Sequence, residues 1–148
     1  MRIEDLKSDF DVLDEWEDRY RHVIELGKGL PPLDEAAHNA ANKVRGCASQ
    51  VWLVANVSGS AEEPIVTFQG DSDALIVKGL VAIALMIYSG KTAREILAID
   101  AAPILRELGL HDHLTPQRSN GFASMIGRIK SDARAVLQRS LAEGIAGR

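Results

Sequence analysis

The chain has 148 residues, 46% of them hydrophobic and 26% charged, with a formal net charge of -4. That length fits one domain over residues 1–148 with a core large enough to need no staple, and the acidic balance argues against a nucleic-acid partner, which selects for a basic face. The longest apolar run, Gly79 to Tyr88, falls short of the roughly 20 residues that span a bilayer; the acidic N-terminus resembles no signal peptide, and a single cysteine suits a reducing cytoplasm.

Apolar spacing predicts two amphipathic helices, Ile3 to Leu13 and Asp14 to Leu26, the second carrying Trp16, Tyr20, Val23, Ile24 and Gly27 at helical intervals. Asp14 with Glu17 reads as a capping box. Gly27, Gly29 and Pro31-Pro32 read as the stop. Leu33 to Ala41 is a connector. A short strand through Lys43 and Val44 then enters a turn at Gly46-Cys47, where glycine supplies a positive φ. Val51 to Val57 and Ile65 to Gln69 are rich in branched and aromatic residues and read as strands, joined by the loop Ser58 to Pro64. Short connections imply antiparallel pairing in a sheet of about three strands.

Asp71 or Ser72 is expected to cap the next helix, Asp73 to Tyr88, with Asp73 at the positive end of its dipole. That helix is apolar almost all round and therefore buried. Thr92 and Glu95 form a capping box for a short helix through Ala98. Pro103 to Leu108 is another short helix, ended by Gly109. Thr115-Pro116 opens the last helix, with a break expected near Asn120-Gly121, an end near Leu141 and a tail that frays after about residue 142. The pattern is α+β, a small antiparallel sheet flanked by helices. No apolar stripe is left over, which predicts a monomer. Acids crowd the first 18 residues, whereas the last helix carries Arg118, Arg128, Lys130, Arg134 and Arg139; such polarity steers a partner or is simply solvated.

Cys47 is the residue most able to carry chemistry. One thiol makes no intramolecular disulfide and no multi-cysteine metal or iron–sulfur site. It can act as a nucleophile, carry a sulfur atom, or fill a small buried space. With an ordinary pKa of about 8.5, the minority thiolate suffices for thiol exchange. Arg45, two residues away, favours the thiolate if it faces the sulfur, and is otherwise solvated. His111 and His113 read as exposed polar residues rather than metal ligands with Cys47. No histidine or oxyanion hole near Cys47 supports a Cys–His pair. Gly27-x-Gly29 closes a helix and is no phosphate cradle. Trp16 and Trp52 read as core.

Gly46-Cys-Ala-Ser-Gln-Val-Trp-Leu53, Gly70-Asp-Ser-Asp-Ala74, Ile76-Val-Lys-Gly-Leu80 and His113-Leu-Thr-Pro-x-Arg-Ser-x-Gly121, in that order and spacing, resemble the SufE family. Ile24-Glu-Leu-Gly27 and Leu30-Pro31 fit as well, so the likeness runs from about Trp16 to Ile129. The resemblance implies a sulfur acceptor of the SufE/IscU-like fold. Cys47 would attack the persulfide of a SufS-like cysteine desulfurase, stimulate that enzyme, and pass the sulfur to a SufBCD-like iron–sulfur scaffold. Pyridoxal phosphate would belong to the desulfurase, with no cofactor or metal on this chain, which acts as partner and activator rather than as a stand-alone enzyme. The family tucks its cysteine loop against an apolar pocket. Gly46, Ala48 and Ser49 would let the loop move when the desulfurase docks. Arg118 matches a family position and would contact the desulfurase or pair with Asp71 or Asp73. Gln50-Val51-Trp52 is closer to the principal SufE branch than to its CsdE-type paralogue, which serves a different desulfurase. The other readings are a binding module with an incidental thiol, an independent thiol enzyme, and an IscU-type scaffold, the last disfavoured by the single cysteine.

Overall fold

The computed structural model describes residues 2–146. Helices α1 (Ile3–Val12) and α2 (Trp16–Lys28) lead to a hairpin, β1 (Val51–Gly59) and β2 (Pro64–Ser72). Helix α3 (Leu75–Tyr88), strand β3 (Lys91–Thr92), the short helices α4 (Ala93–Ala98), α5 (Ala102–Glu107) and α6 (Leu110–His113), and the long α7 (Pro116–Ala146) complete the chain. The strands form one antiparallel sheet in the order β1-β2-β3. The expected α+β class is therefore the observed one.

Alternation decides which side of the sheet is covered. In β2, Val66, Phe68, Gly70 and Ser72 are buried, and Val51 and Leu53 join them from β1. Helix α3 lies across this side. At the crossing a side chain on Gly70 would press within 2.6 Å of Val81 and 2.9 Å of Leu53. On another flank α3 meets α2 backbone to backbone. A Cβ on Gly27 would stand 2.6 Å from the Gly79 nitrogen, and one on Gly79 would collide with the Val23 carbonyl. Phe122, Met125 and Ile129 of α7 are also buried, and they belong to the same core.

Several local expectations are corrected. Lys43 and Val44 make only an isolated bridge to β1, because Gly46 at φ +90° turns the chain away at once. The third strand is instead Lys91–Thr92. Gly90, at φ +82°, folds the chain back after α3 and gives its N–H to Val66. The strands run on to Gly59 and Pro64, so the hairpin loop shrinks to residues 60–63. Asp14 does not cap α2, whose N-cap is Glu15 with no side-chain bond. The junction is tied instead by Arg19, which donates to the carbonyls of Leu13 (2.7 Å) and Phe10 (3.0 Å) at the end of α1. Nor do Asp71 or Ser72 cap α3: both lie in β2, and the helix starts at Leu75 behind Ala74. Gly27 is no stop but the helix-crossing contact. No break occurs at Asn120-Gly121, since α7 is continuous to Ala146; of the tail expected to fray, Gly147 and Arg148 lie outside the described residues. The Thr92–Glu95 capping box forms as expected, with both bonds at 3.1 Å. Among the described residues no helix is long and apolar enough to cross a membrane.

Gly79→Ala should force α2 and α3 apart and lower unfolding stability by about 2 kcal/mol or more, the upper range for overpacking a filled core. Urea denaturation checks this, and a loss below about 0.5 kcal/mol would show that the helices part freely.

Candidate functional site at Cys47

The segment that carries Cys47 is fastened at both ends. Upstream, Val44 gives its N–H to the Val51 carbonyl (2.8 Å) and Leu53 gives its own to Asn42 (2.9 Å). Arg128 of α7 donates to the carbonyls of Ala41 (2.8 Å) and Lys43 (3.4 Å) while pairing with Asp132 at 3.1 Å. Downstream, the Asp73 carboxylate accepts the Gln50 N–H at 3.0 Å, and the Asp73 N–H reaches the Gln50 carbonyl at 3.3 Å. Gly46 then makes the turn, and α7 lies so close that a Cβ there would stand 2.6 Å from the Ser124 hydroxyl. Between these fastenings, residues 47–49 hold by packing and one weak bond. The half-buried Cys47 thiol donates to the Gly121 carbonyl at 3.5 Å, a soft contact for a weak donor.

The thiol opens on a hollow of about 240 Å³. Its floor is apolar, from Ala74, Ile76, Val77, Leu80 and Met125, and its rim bears Ser49, Thr115, Gln117 and Arg118. Burial in this setting pushes the Cys47 thiol up from its ordinary value, because a low-dielectric site disfavours the thiolate. The resting group is therefore a neutral thiol, less ionised than the sequence suggests. The lining holds no imidazole and no carboxylate, so it contains no general base for a Cys–His mechanism. The hollow is also smaller than the roughly 300–1,000 Å³ usual for small-molecule sites. It suits a side chain and one extra sulfur better than a free substrate.

The expected site residues separate into three groups. Cys47, Ser49 and Arg118 meet at the hollow, with Gly46 at its hinge. Arg118 pairs with neither Asp71 nor Asp73; its guanidinium has no carboxylate partner among the described residues, and only its backbone N–H is fixed, to the Thr115 hydroxyl at 3.3 Å. Asp73 acts as the loop clasp. Asp71 belongs to another cluster, where it takes His38 at 2.7 Å and Lys78 at 3.3 Å. Arg45 is exposed and lines a second hollow rather than the one that holds the thiol, so it is no partner for the sulfur. His111 and His113 stand apart from Cys47: His113 stacks on Trp16 with ring centroids 3.8 Å apart. Trp16 and Trp52 are part-buried, and Trp52 meets His38 edge-on at 4.7 Å.

Sequence reasoning missed His38, Arg128, Gly121 and Leu75. The first three act through contacts across 33 to 87 positions, and no local pattern announces such pairs. Leu75 could have been suspected as an apolar residue at the solvated start of a helix. It is 61% exposed and sits between two residues that line the hollow.

The Asp71 hydrogen bond raises the His38 pKa. Partial burial acts to raise the Asp71 carboxyl, yet hydrogen bonds from His38, the Ser72 N–H and Lys78 outweigh it and hold the carboxyl below its usual range. The pair braces the connector against β2.

The sequence model of the SufE family, described as an Fe-S metabolism associated domain, matches residues 4–133. An uncharacterized SufE-like protein of Rhizobium meliloti (strain 1021) is 58% identical over 135 residues, covering 91% of this chain and 96% of its own. A second, from Rhizobium etli, is 57% identical over 132 residues, covering 89% of each. Among solved structures, a hypothetical protein from Thermus thermophilus superposes with a TM-score of 0.70 at 20% identity, over 93% of this chain and 99% of that one. At that identity the likeness speaks for the fold alone.

Asp73→Ala should release the loop, so that Cys47 reacts with iodoacetamide several-fold faster at neutral pH while far-UV circular dichroism stays unchanged; an equal rate would show that Asp73 does not hold the loop. The His38–Asp71 pair gives a pH signature. The raised histidine stabilises fully below its ordinary pKa of about 6.5 and loses this as pH climbs through its raised value, whereas the lowered aspartate stabilises above about 3.9. The melting-temperature gap between the parent and His38→Gln should therefore be wider at about pH 5.5 than at about pH 9. A gap independent of pH would mean that the pair is not ionic.

Proposed function

The chain belongs to the SufE family of Fe-S metabolism associated domains, and on that footing we propose that it is the sulfur acceptor of a cysteine desulfurase. The observation that carries the reading is a lone thiol on a loop fastened at both ends, resting in a small hollow without a catalytic base. Thiol–persulfide exchange needs no such base, only a thiolate and access. The Cys47 thiolate attacks the outer sulfur of the desulfurase persulfide. A new S–S bond forms at Cys47, the old one breaks, and its electron pair leaves with the desulfurase cysteine as a thiolate. Nothing is oxidised or reduced in sum, and the desulfurase is freed for another turnover, which is the basis of stimulation. Pyridoxal phosphate serves the earlier carbon–sulfur cleavage on the partner. An iron–sulfur scaffold then takes the sulfur.

Because burial favours the neutral thiol, exchange requires the 47–49 stretch to leave the hollow when the desulfurase docks. Between partners the hollow shields the persulfide from water, small thiols and oxidants. Arg118, on the rim with no carboxylate partner among the described residues, offsets the charge of a returning persulfide anion.

Intact-mass spectrometry of the chain mixed with a SufS-like desulfurase, pyridoxal phosphate and free cysteine should show a reductant-labile gain of one sulfur, absent in Cys47→Ser. No gain beside an active desulfurase refutes the acceptor role; stimulation that survives Cys47→Ser would identify a binding module instead. Arg118→Ala should leave the melting temperature near the parent's and weaken desulfurase stimulation. An equal loss of both would mark the arginine as structural.

A further inference from the structure

The second hollow, about 430 Å³, adjoins the segment entering the cysteine loop and shares no lining residue with the thiol pocket. The two share α7 as a wall. Gly121 and Met125 face the thiol, while Ser124, Gly127, Arg128 and Ser131 line the second space, adjacent strips of one helix. Its other wall is the segment entering the loop, with Lys43 and Arg45. Both are exposed, and neither has a carboxylate within ion-pair distance among the described residues. Arg128 is neutralised by Asp132. The hollow therefore keeps two uncompensated cations beside two serine hydroxyls.

This charge sits on a chain whose net charge is -4. The thiol pocket lies at the start of α3, lined by Ala74, Ile76 and Val77. Arg2, Ile3 and Glu4, at the start of α1, line a hollow at the other end of α3 with Met86 and Ile87. A helix of 14 residues separates the two ends, about 20 Å at 1.5 Å per residue. Near Cys47 the Asp71 and Asp132 carboxylates are paired with Lys78 and Arg128, while Asp73 keeps its charge and accepts the Gln50 N–H. Lys43, Arg45 and Arg118 outnumber that one carboxylate, so the surroundings of the cysteine are basic on a protein of negative net charge.

We infer that the hollow of Lys43, Arg45, Ser124 and Ser131 is the docking site for carboxylate side chains on the rim of the desulfurase active-site mouth. Its wall runs through Val44 and Arg45 directly into Gly46 and Cys47, so it lies within reach of a partner that receives the thiol. Carboxylates seated there would orient the encounter and engage the segment that leads to Gly46. Leu75, exposed beyond the other edge of the thiol pocket, adds apolar area for the same partner to cover. The inference rests on the sulfur-acceptor reading.

The test is desulfurase stimulation titrated with the full chain at low and high salt. Lys43→Glu/Arg45→Glu should raise the half-maximal concentration on the order of tenfold at low salt. The two curves should converge at about 1 M salt, where the screening length is about 3 Å. Lys43→Gln/Arg45→Gln should fall between parent and double reversal. An unchanged half-maximal concentration at low salt overturns the inference and leaves the acceptor reading intact. A defect undiminished by salt overturns it too, because the substitutions would then act on the loop rather than through charge. Failure of the parent chain to stimulate at all removes the acceptor reading and the inference together.

Discussion

The glycine-to-glycine crossing of α2 and α3 is the constraint on which the rest is built. Helix α3 is apolar on nearly every side and has to be covered on each. The sheet covers one flank, where Gly70 lets Val81 and Leu53 close in. Helix α2 covers another, where Gly27 and Gly79 bring two backbones into contact. Helix α7 contributes Phe122, Met125 and Ile129 to the same core. With α3 locked in depth and direction, its first turns become fixed walls for the cysteine pocket. Cores transmit small shifts because they are packed like solids, so displacing α3 would reshape the hollow around Cys47.

The cysteine loop is the opposite case, with fastenings concentrated at its ends. Asp73, in the link between β2 and α3, and Arg128 of α7 hold the flanking backbone with charge-assisted hydrogen bonds, the stronger class. The thiol itself makes a long bond to one carbonyl. A segment built this way can exchange its middle between two positions without unfolding its ends. In the proposed transfer the rigid parts would set where the sulfur goes, and the weak contact how readily it goes there.

Local chemistry was legible where a short stretch decides its own fate. Gly46 makes its turn, Thr92 and Glu95 cap each other, and the run from Leu75 to Tyr88 becomes the buried helix. What could not be read depends on distant partners. Asp71 looks like a cap but is claimed by His38 and Lys78 from other segments. Gly27 looks like a helix stop, yet its missing side chain makes room for Gly79 on the neighbouring helix. Gly121 looks like a break and instead places its carbonyl under the thiol. Arg128 looks like one more solvated charge on a basic helix and is in fact bonded to the carbonyls of the segment before the loop. Of the candidate site, Cys47 and its hinge came from the local pattern, Arg118 and Asp73 from family likeness, and the division of labour among the acids only from the fold.

The hollow also explains why one residue can serve both storage and delivery in the proposed cycle. A carbonyl oxygen beside the sulfur suits a neutral S–H donor and repels an anion, so the empty carrier rests as a thiol with low reactivity. Once charged with sulfur, the terminal atom is an anion when ionised, and the Gly121 carbonyl no longer favours it. The apolar floor offers no compensation, whereas the Arg118 guanidinium on the rim does. In the proposed cycle the loaded group would thereby sit against the Arg118 side of the hollow rather than on its apolar floor. The same geometry that keeps the free thiol quiet would thus hold a persulfide at the rim, and that hold depends on a single rim cation that no carboxylate among the described residues neutralises.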